Sequence, residues 1–503
     1  MSDNSQSKVD PTTAATSAFI VDEAETASHD SPAPKVQPPI ALAAERYLSA
    51  MRGIAQTAQI ALPHMASWKL KEYQALQKKL EKIVPDNPDQ ADGIKSFTFD
   101  SARDFAEFTS IIRQIEDIGS HNSTEVLSKS LFTQLFAEFD AYIGELLKIV
   151  YLKNDKLLKG VLREISLADL LDFEDLNAVK ISMLDKEIET FRRDSYIEQF
   201  STLEKKFNLS LRKFKEWSAF VELSQRRNIL THNGGAVSDQ YLLVCEREGH
   251  TFGERPRIGD SLGVTFAYFA DAGRLISKVG LMLAYTLWSK VFPNELDEIH
   301  THLNNTVFHC LQQKRWLFVA GLQEFILSEP MRKGISEIDL RIRIVNTAIG
   351  LKFSGKDADA VRLLESVDWS ASYRDFKLAI AVLQERYDDA IKIMRSIGKS
   401  GEMLDQSAYH TWPLFTRFRE RPEFYDAYFE VYGEAFAEKI ETDKGAVEAH
   451  AKSGDSGGMA SPIQNVTDVE ARDVTTERST SKRGVRKGAV NEKPTTKRVR
   501  RVT

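Results

Sequence analysis

The chain has 503 residues, 42% of them hydrophobic and 28% charged, with a formal net charge of −6. These are ordinary globular values and leave room for two or three domains. Cys245 and Cys310 stand far apart, and the ten histidines fall into no CxxC, HExxH or paired-ligand spacing. We therefore expect a reducing, cytoplasmic location with no disulfide, no protein-bound metal and no cofactor. GxxxxGK[ST] and GxGxxG are both absent, so neither a P-loop nor a dinucleotide site is expected.

The first 38 residues are polar, acidic and poor in large apolar side chains. No basic start leads into an apolar run, so they read as a disordered tail and not as a signal peptide. Residues 39–124 form a helical segment. Leu42, Tyr47 and Met51 recur at near-helical spacing, as do Leu70, Tyr73, Leu76 and Leu80. Pro85 and Pro88 break the pattern, and a second helix runs from the N-cap Ser101 to Ile118, ended by Gly119.

Residues 125–292 form a further unit. Leu131, Leu135, Phe139, Tyr142 and Leu146 mark one helical stripe. A strong helix covers about 211–231, with Phe214, Trp217, Phe220, Val221 and Ser224 facing one way, and Asn233-Gly234-Gly235 stop it. Residues 241–245 read as a short extended piece, followed by a loop with Gly253 and Gly259 and an apolar helix over 264–292. Its core, 279–288, is about half the length of a membrane span and is flanked by Lys278 and Lys290, so we expect a buried helix and no membrane association.

Residues 300–440 look repetitive. Asp357-Ala358-Asp359-Ala360-Val361-Arg362-Leu363-Leu364 returns thirty residues later as Tyr387-Asp388-Asp389-Ala390-Ile391-Lys392-Ile393-Met394. A weaker copy relates 311–320 to 383–390. Small residues at fixed places let paired helices approach, so a stacked helical array resembling tetratricopeptide repeats is expected. Residues 441–503 turn polar and then basic. From Arg478 onward ten Lys and Arg face a single acid, Glu492, so a basic tail follows an acidic body. The fold class is therefore all-α, with disordered termini.

The chemistry concentrates in Arg226-Arg227-Asn228-Ile229-Leu230-Thr231-His232-Asn233-Gly234-Gly235. Arg227 and His232 have four residues between them, and Asn228 follows the arginine directly. Asn228 and His232, four apart, share a helix face. Histidine can take or give a proton near neutral pH, and arginine can pair with two phosphate oxygens. Together they suit RNA cleavage without a metal.

The motif closes a long apolar helix, is followed by the Asn-Gly-Gly stop and one more helix, and has an acidic-aromatic helix upstream. In this order the segment 125–292 resembles the HEPN superfamily, with its Arg-x4-His ribonuclease motif. The resemblance implies a helical bundle, Arg227, Asn228 and His232 as catalytic residues, and RNA as substrate. It further implies 2′,3′-cyclic phosphate and 5′-hydroxyl ends, and a homodimer that brings two motifs together. Family members often carry a helping acid on an early helix; here Glu138, Asp140 and Glu145 all qualify.

The function expected is a metal-independent endoribonuclease in a toxin–antitoxin or antiviral-defence setting, with the helical repeats choosing a protein partner. The alternative is a non-catalytic HEPN-plus-repeat adaptor that dimerises and binds protein or RNA. The basic tail lacks aromatic residues. It suits phosphate neutralisation without base reading.

Overall fold

The structure is a computed structural model that describes residues 37–84, 99, 101–120, 122–161 and 164–436. The proline break after residue 84 and the basic tail lie outside the described residues. The fold is all-α. Among the described residues the only β pairing is an isolated antiparallel bridge between Ala236 and Ser261.

The first helix, α1 (Pro39–Ile83), is 45 residues long and starts with Pro39, which needs no N–H at that place. α2 (Ala102–Ser120) packs against it. Gly119 lies within that helix and does not end it. The first half of α1 is buried between α3 (Ser123–Leu152) and α8 (Phe266–Val291), a helix described below. Tyr47 explains the close fit. Its ring stacks on Tyr142 with centroids 4.1 Å apart, and its hydroxyl donates to the Ile276 carbonyl at 2.8 Å. The ring occupies the space where a Cβ at Gly280 would stand, so any larger residue there pushes α1 off α8.

After α3 come α4 (Leu176–Arg193), α5 (Tyr196–Phe207) and α6 (Trp217–His232). A capping box fixes the start of α5: Ser195 accepts from the Glu198 N–H, and Glu198 accepts from the Ser195 N–H. Phe139 of α3, Tyr196 and Phe200 of α5, and Trp217 and Phe220 of α6 meet with neighbouring ring centroids 5.3–5.9 Å apart. These edge-to-face and tilted contacts lock the three helices together.

The apolar stretch 241–245 is helical, which corrects the extended reading. It lies in α7 (Asp239–Arg247), capped by Ser238, which accepts from the Tyr241 N–H at 3.1 Å. Tyr241, Leu242 and Cys245 are buried while Leu243 is exposed. That is helical spacing, and a strand would have alternated. α8 follows, and its expected apolar core is buried from Val279 to Trp288 apart from Met282 and Thr286, which are half-buried.

Beyond it run α9 (Leu296–Gln312), α10 (Trp316–Ile326), α11 (Glu337–Phe353), α12 (Asp357–Glu365), α13 (Arg374–Leu383), α14 (Tyr387–Ile397) and α15 (Pro422–Tyr432). The two similar strings begin α12 and α14, with Ala360 and Ala390 buried. Three hairpins turn alike. Lys314, Gly355 and Glu385 each take a positive φ, and the next N–H, of Arg315, Lys356 or Arg386, returns 2.8–2.9 Å to a carbonyl five residues back. At Gly350 a Cβ would collide with Val319, so α10 and α11 touch backbone to side chain there. One large apolar core draws on residues from Ile40 to Tyr428, and Ile229, Val237, Tyr241, Leu242 and Cys245 form a second, smaller one. No single helix among the described residues is long and apolar enough to cross a membrane.

Candidate functional site

Why α6 ends where it does is a backbone matter. The N–H groups of Asn233 and Gly235 both return to the Ile229 carbonyl, at 2.8 and 2.9 Å. Gly234 and Gly235 take φ +60° and +91°, where side chains are strained. A Cβ on Gly235 would also press to 3.0 Å from the Leu262 carbonyl oxygen. The chain then pairs with the segment after Gly259: Val237 donates to Asp260 and Leu262 donates to Gly235, each at 2.9 Å. The end of α6 is therefore stapled in place, and His232, its last residue, stands exposed beside the free helix carbonyls.

The two adjacent arginines are used differently. Arg226 donates to Glu222 at 2.8 Å and to the Gly263 carbonyl at 3.1 Å, and its guanidinium lies 4.2 Å from the Tyr268 ring centroid. Glu222 is buried and also accepts from Tyr241 at 2.6 Å and Tyr268 at 2.7 Å. This closed network joins α6, α7 and α8, and its polar groups are spent on one another.

Arg227 points to α3 and α5. It lies 3.5 Å from the Asp140 carboxylate and donates to the Tyr196 hydroxyl at 3.2 Å. Tyr196 in turn donates to Asp140 at 2.6 Å. The guanidinium sits 5.6 and 5.8 Å from the Phe136 and Tyr196 ring centroids. Its side chain is 25% exposed, and its buried Nε has no hydrogen-bond partner. Burial pushes the Asp140 carboxyl above its ordinary value, against the opposing pulls of Tyr196 and Arg227. Burial, followed by the neighbouring Asp140 charge, pushes the Tyr196 phenol well up.

Asn228 is half-buried, and the Thr231 hydroxyl donates back to the Arg227 carbonyl at 2.8 Å. Arg227 and His232, five residues apart, leave the helix about 140° apart around its axis. Within one copy, then, Arg227 is gathered with Asp140 and Tyr196, and no hydrogen bond links it to Asn228 or His232.

Of the three acids open to the sequence reading, Asp140 is the one that meets Arg227. Glu138 accepts from Gln134 at 2.8 Å, and Glu145 pairs with Arg46. Tyr196 is a site residue that sequence reasoning missed. Its capping box is visible as Ser-x-x-Glu, but nothing local indicates that the ring following it reaches α3 and α6. Among the described residues no three His, Cys, Asp or Glu are grouped to hold a metal ion. His302 instead bonds Tyr285 at 2.7 Å and Glu45 at 3.1 Å, tying α9 to α8 and α1. No family model, curated protein or solved structure matches this chain.

Proposed function

We propose that the chain is a HEPN-type endoribonuclease that cleaves RNA through Arg227 and His232. The observation that carries this reading is a part-exposed guanidinium held by Asp140 and Tyr196, five residues before an exposed histidine. His232 takes the proton from the RNA 2′-hydroxyl, whose oxygen forms the new bond to phosphorus. Arg227 stabilises the charge on the five-coordinate phosphorus. The bond to the 5′-oxygen breaks, and that oxygen takes the proton back from His232, giving a 2′,3′-cyclic phosphate and a 5′-hydroxyl. The nucleophile belongs to the substrate, so no metal-activated water is required.

Asp140 is a positioning residue that aims Arg227. Asn228 holds the rim beside the scissile phosphate. The two chemical groups leave α6 on different sides, so an isologous homodimer completes the site by bringing two such helix ends together. The basic tail adds phosphate contacts and salt-sensitive affinity. A toxin–antitoxin or antiviral-defence setting suits such an activity, with the helical hairpins of the C-terminal half engaging a protein partner.

A second reading is favoured by the same ion pair. If Asp140 and Tyr196 hold Arg227 purely as a cross-tie between helices, the chain is a non-catalytic adaptor. Incubating purified full-length protein with RNA in EDTA and sequencing the new ends separates the two. Cleavage to cyclic-phosphate ends, lost in Arg227→Ala and in His232→Ala, is the outcome expected. Intact RNA, or variants as active as the parent, gives the adaptor reading.

A further inference from the structure

The most exposed large apolar side chains among the described residues fall close together in the sequence. Leu167, Leu171 and Leu176 are 71%, 77% and 73% exposed, more than any other. Leu167 and Leu171 lie one turn apart on the short helix Leu167–Leu171, and Leu176 opens α4. Around them stand Glu164, Asp169, Asp172, Glu174 and Asp175, all exposed, with no Lys or Arg anywhere in 164–179.

This is not a slack loop. Ser166 accepts from the Asp169 N–H at 3.1 Å, and Asp175 accepts from the Ala178 N–H at 2.7 Å, so both helix starts are capped. Leu170 and Phe173 take half-buried places and Val179 a buried one. The segment thus has its own inward apolar set, and the three leucines form a second, outward one. Leaving them in water forgoes the burial that holds the rest of the chain together, and a patch of this kind marks an interaction surface.

The charges select the occupant. An anionic lipid surface repels five carboxylates, and a second copy in an isologous contact would set five against five. We infer that residues 164–176 are a docking segment for a different protein, one that offers an apolar groove rimmed by Lys and Arg. The leucines fill the groove, and the carboxylates pair with its rim, as apolar anchors at helical spacing do in helix-in-groove recognition. This surface is independent of the ribonuclease reading.

The test titrates full-length protein against a fluorescent amphipathic peptide of leucine and lysine, with a leucine–glutamate peptide as control. One variant carries Leu167→Ser, Leu171→Ser and Leu176→Ser; another carries Asp169→Asn, Asp172→Asn and Glu174→Gln. Both replace exposed side chains, and circular dichroism checks that helicity is kept. The lysine peptide should bind, and each variant should weaken it by about tenfold or more. A serine variant within about twofold of the parent, or equal binding of the glutamate peptide, overturns the proposal. Leucine-dependent binding to phosphatidylcholine vesicles assigns the patch to lipid instead. A dimer seen by sedimentation equilibrium and lost in the serine variant assigns it to a second copy. Either result also overturns the proposal.

Discussion

Arg343 and Arg227 lie in opposite halves of the chain, and both guanidinium groups are drawn out of bulk water. Arg343 on α11 is fully buried, and the Asp339 carboxylate favours its charge without hydrogen-bonding it. Its Nε donates to Asn304 at 2.9 Å, and its other nitrogens reach the carbonyls of Ile326, Met331 and His300 and the ring of His300. Burial lowers its pKa to about 10. Every direction of the fork is filled by a neutral acceptor, which ties α9, α11 and the turn after α10 into one piece. Arg227 instead has one carboxylate and one phenol on a part-exposed side chain, and its buried Nε has no partner. A buried cation satisfied on all sides is a brace, whereas one satisfied in part still has donors for a visiting anion.

The largest effect should come from breaking the brace. Arg343→Met keeps much of the side-chain volume but strands Asn304 and the carbonyls, and should cost about 3 kcal/mol or more in urea denaturation. An unchanged midpoint would show that the network contributes little. Arg227→Ala should reverse the pattern: RNA cleavage falls by about a hundredfold or more, while stability changes by about 1 kcal/mol or less. If Arg227→Ala unfolds the chain as Arg343→Met does and leaves cleavage intact, the contrast between the two sites disappears.

Asp375 on α13 sharpens the comparison from the anionic side. It is buried and accepts from the Met403 N–H at 2.9 Å. Burial and the neighbouring Glu402 push its carboxyl up to about 7. A folded pKa raised this way contributes stability below the unfolded carboxyl value, and that contribution is lost as pH rises through about 7. Asp375→Asn should therefore stabilise the protein at pH 8 by on the order of 1–2 kcal/mol, with the gain fading towards pH 5. A gain that is constant with pH would mean that ionisation of Asp375 carries no penalty.

The smallest effect concerns His300. Its Nδ1 faces the Arg343 guanidinium, a donor only, so the proton sits on Nε2, which donates to the Lys333 carbonyl at 3.0 Å. Burial lowers its pKa. A depressed histidine contributes stability above the unfolded value of about 6.5 and loses it as pH falls through the folded value. Denaturation midpoints at pH 7.5 and 5.5 should fall further for the parent than for His300→Gln. Equal falls would separate His300 from the brace.

Long periodic helices were legible in the sequence because burial and backbone period agree there. α8 stands within two residues of where its apolar spacing puts it, and α6 ends at its expected glycine stop but starts at Trp217, six residues later than expected. Residues 241–245 misled because a short run of Tyr, Leu, Leu, Val and Cys suits either period, and only the Ser238 cap and exposed Leu243 decide it. Arg343 drew no notice, since an arginine on a helix is normally a solvated one. The Arg227 motif was visible, but choosing Asp140 over Glu138 and Glu145 depends on how α3 is rotated against α6. That rotation is set by rings far apart in sequence, such as Phe139 and Phe220.

The fit of Tyr47 into the gap at Gly280 also imposes an order on synthesis. The hydroxyl of Tyr47 finds its acceptor 229 residues downstream. On a ribosome adding roughly 5–20 residues per second, the apolar side of α1 waits some ten seconds or longer before α8 emerges to cover it. During that interval Tyr47, Leu48 and Met51 are open to chaperones and to neighbouring nascent chains. Aggregation of this protein should therefore begin at its N-terminal helix, and slowing translation between α1 and α8 should make it worse.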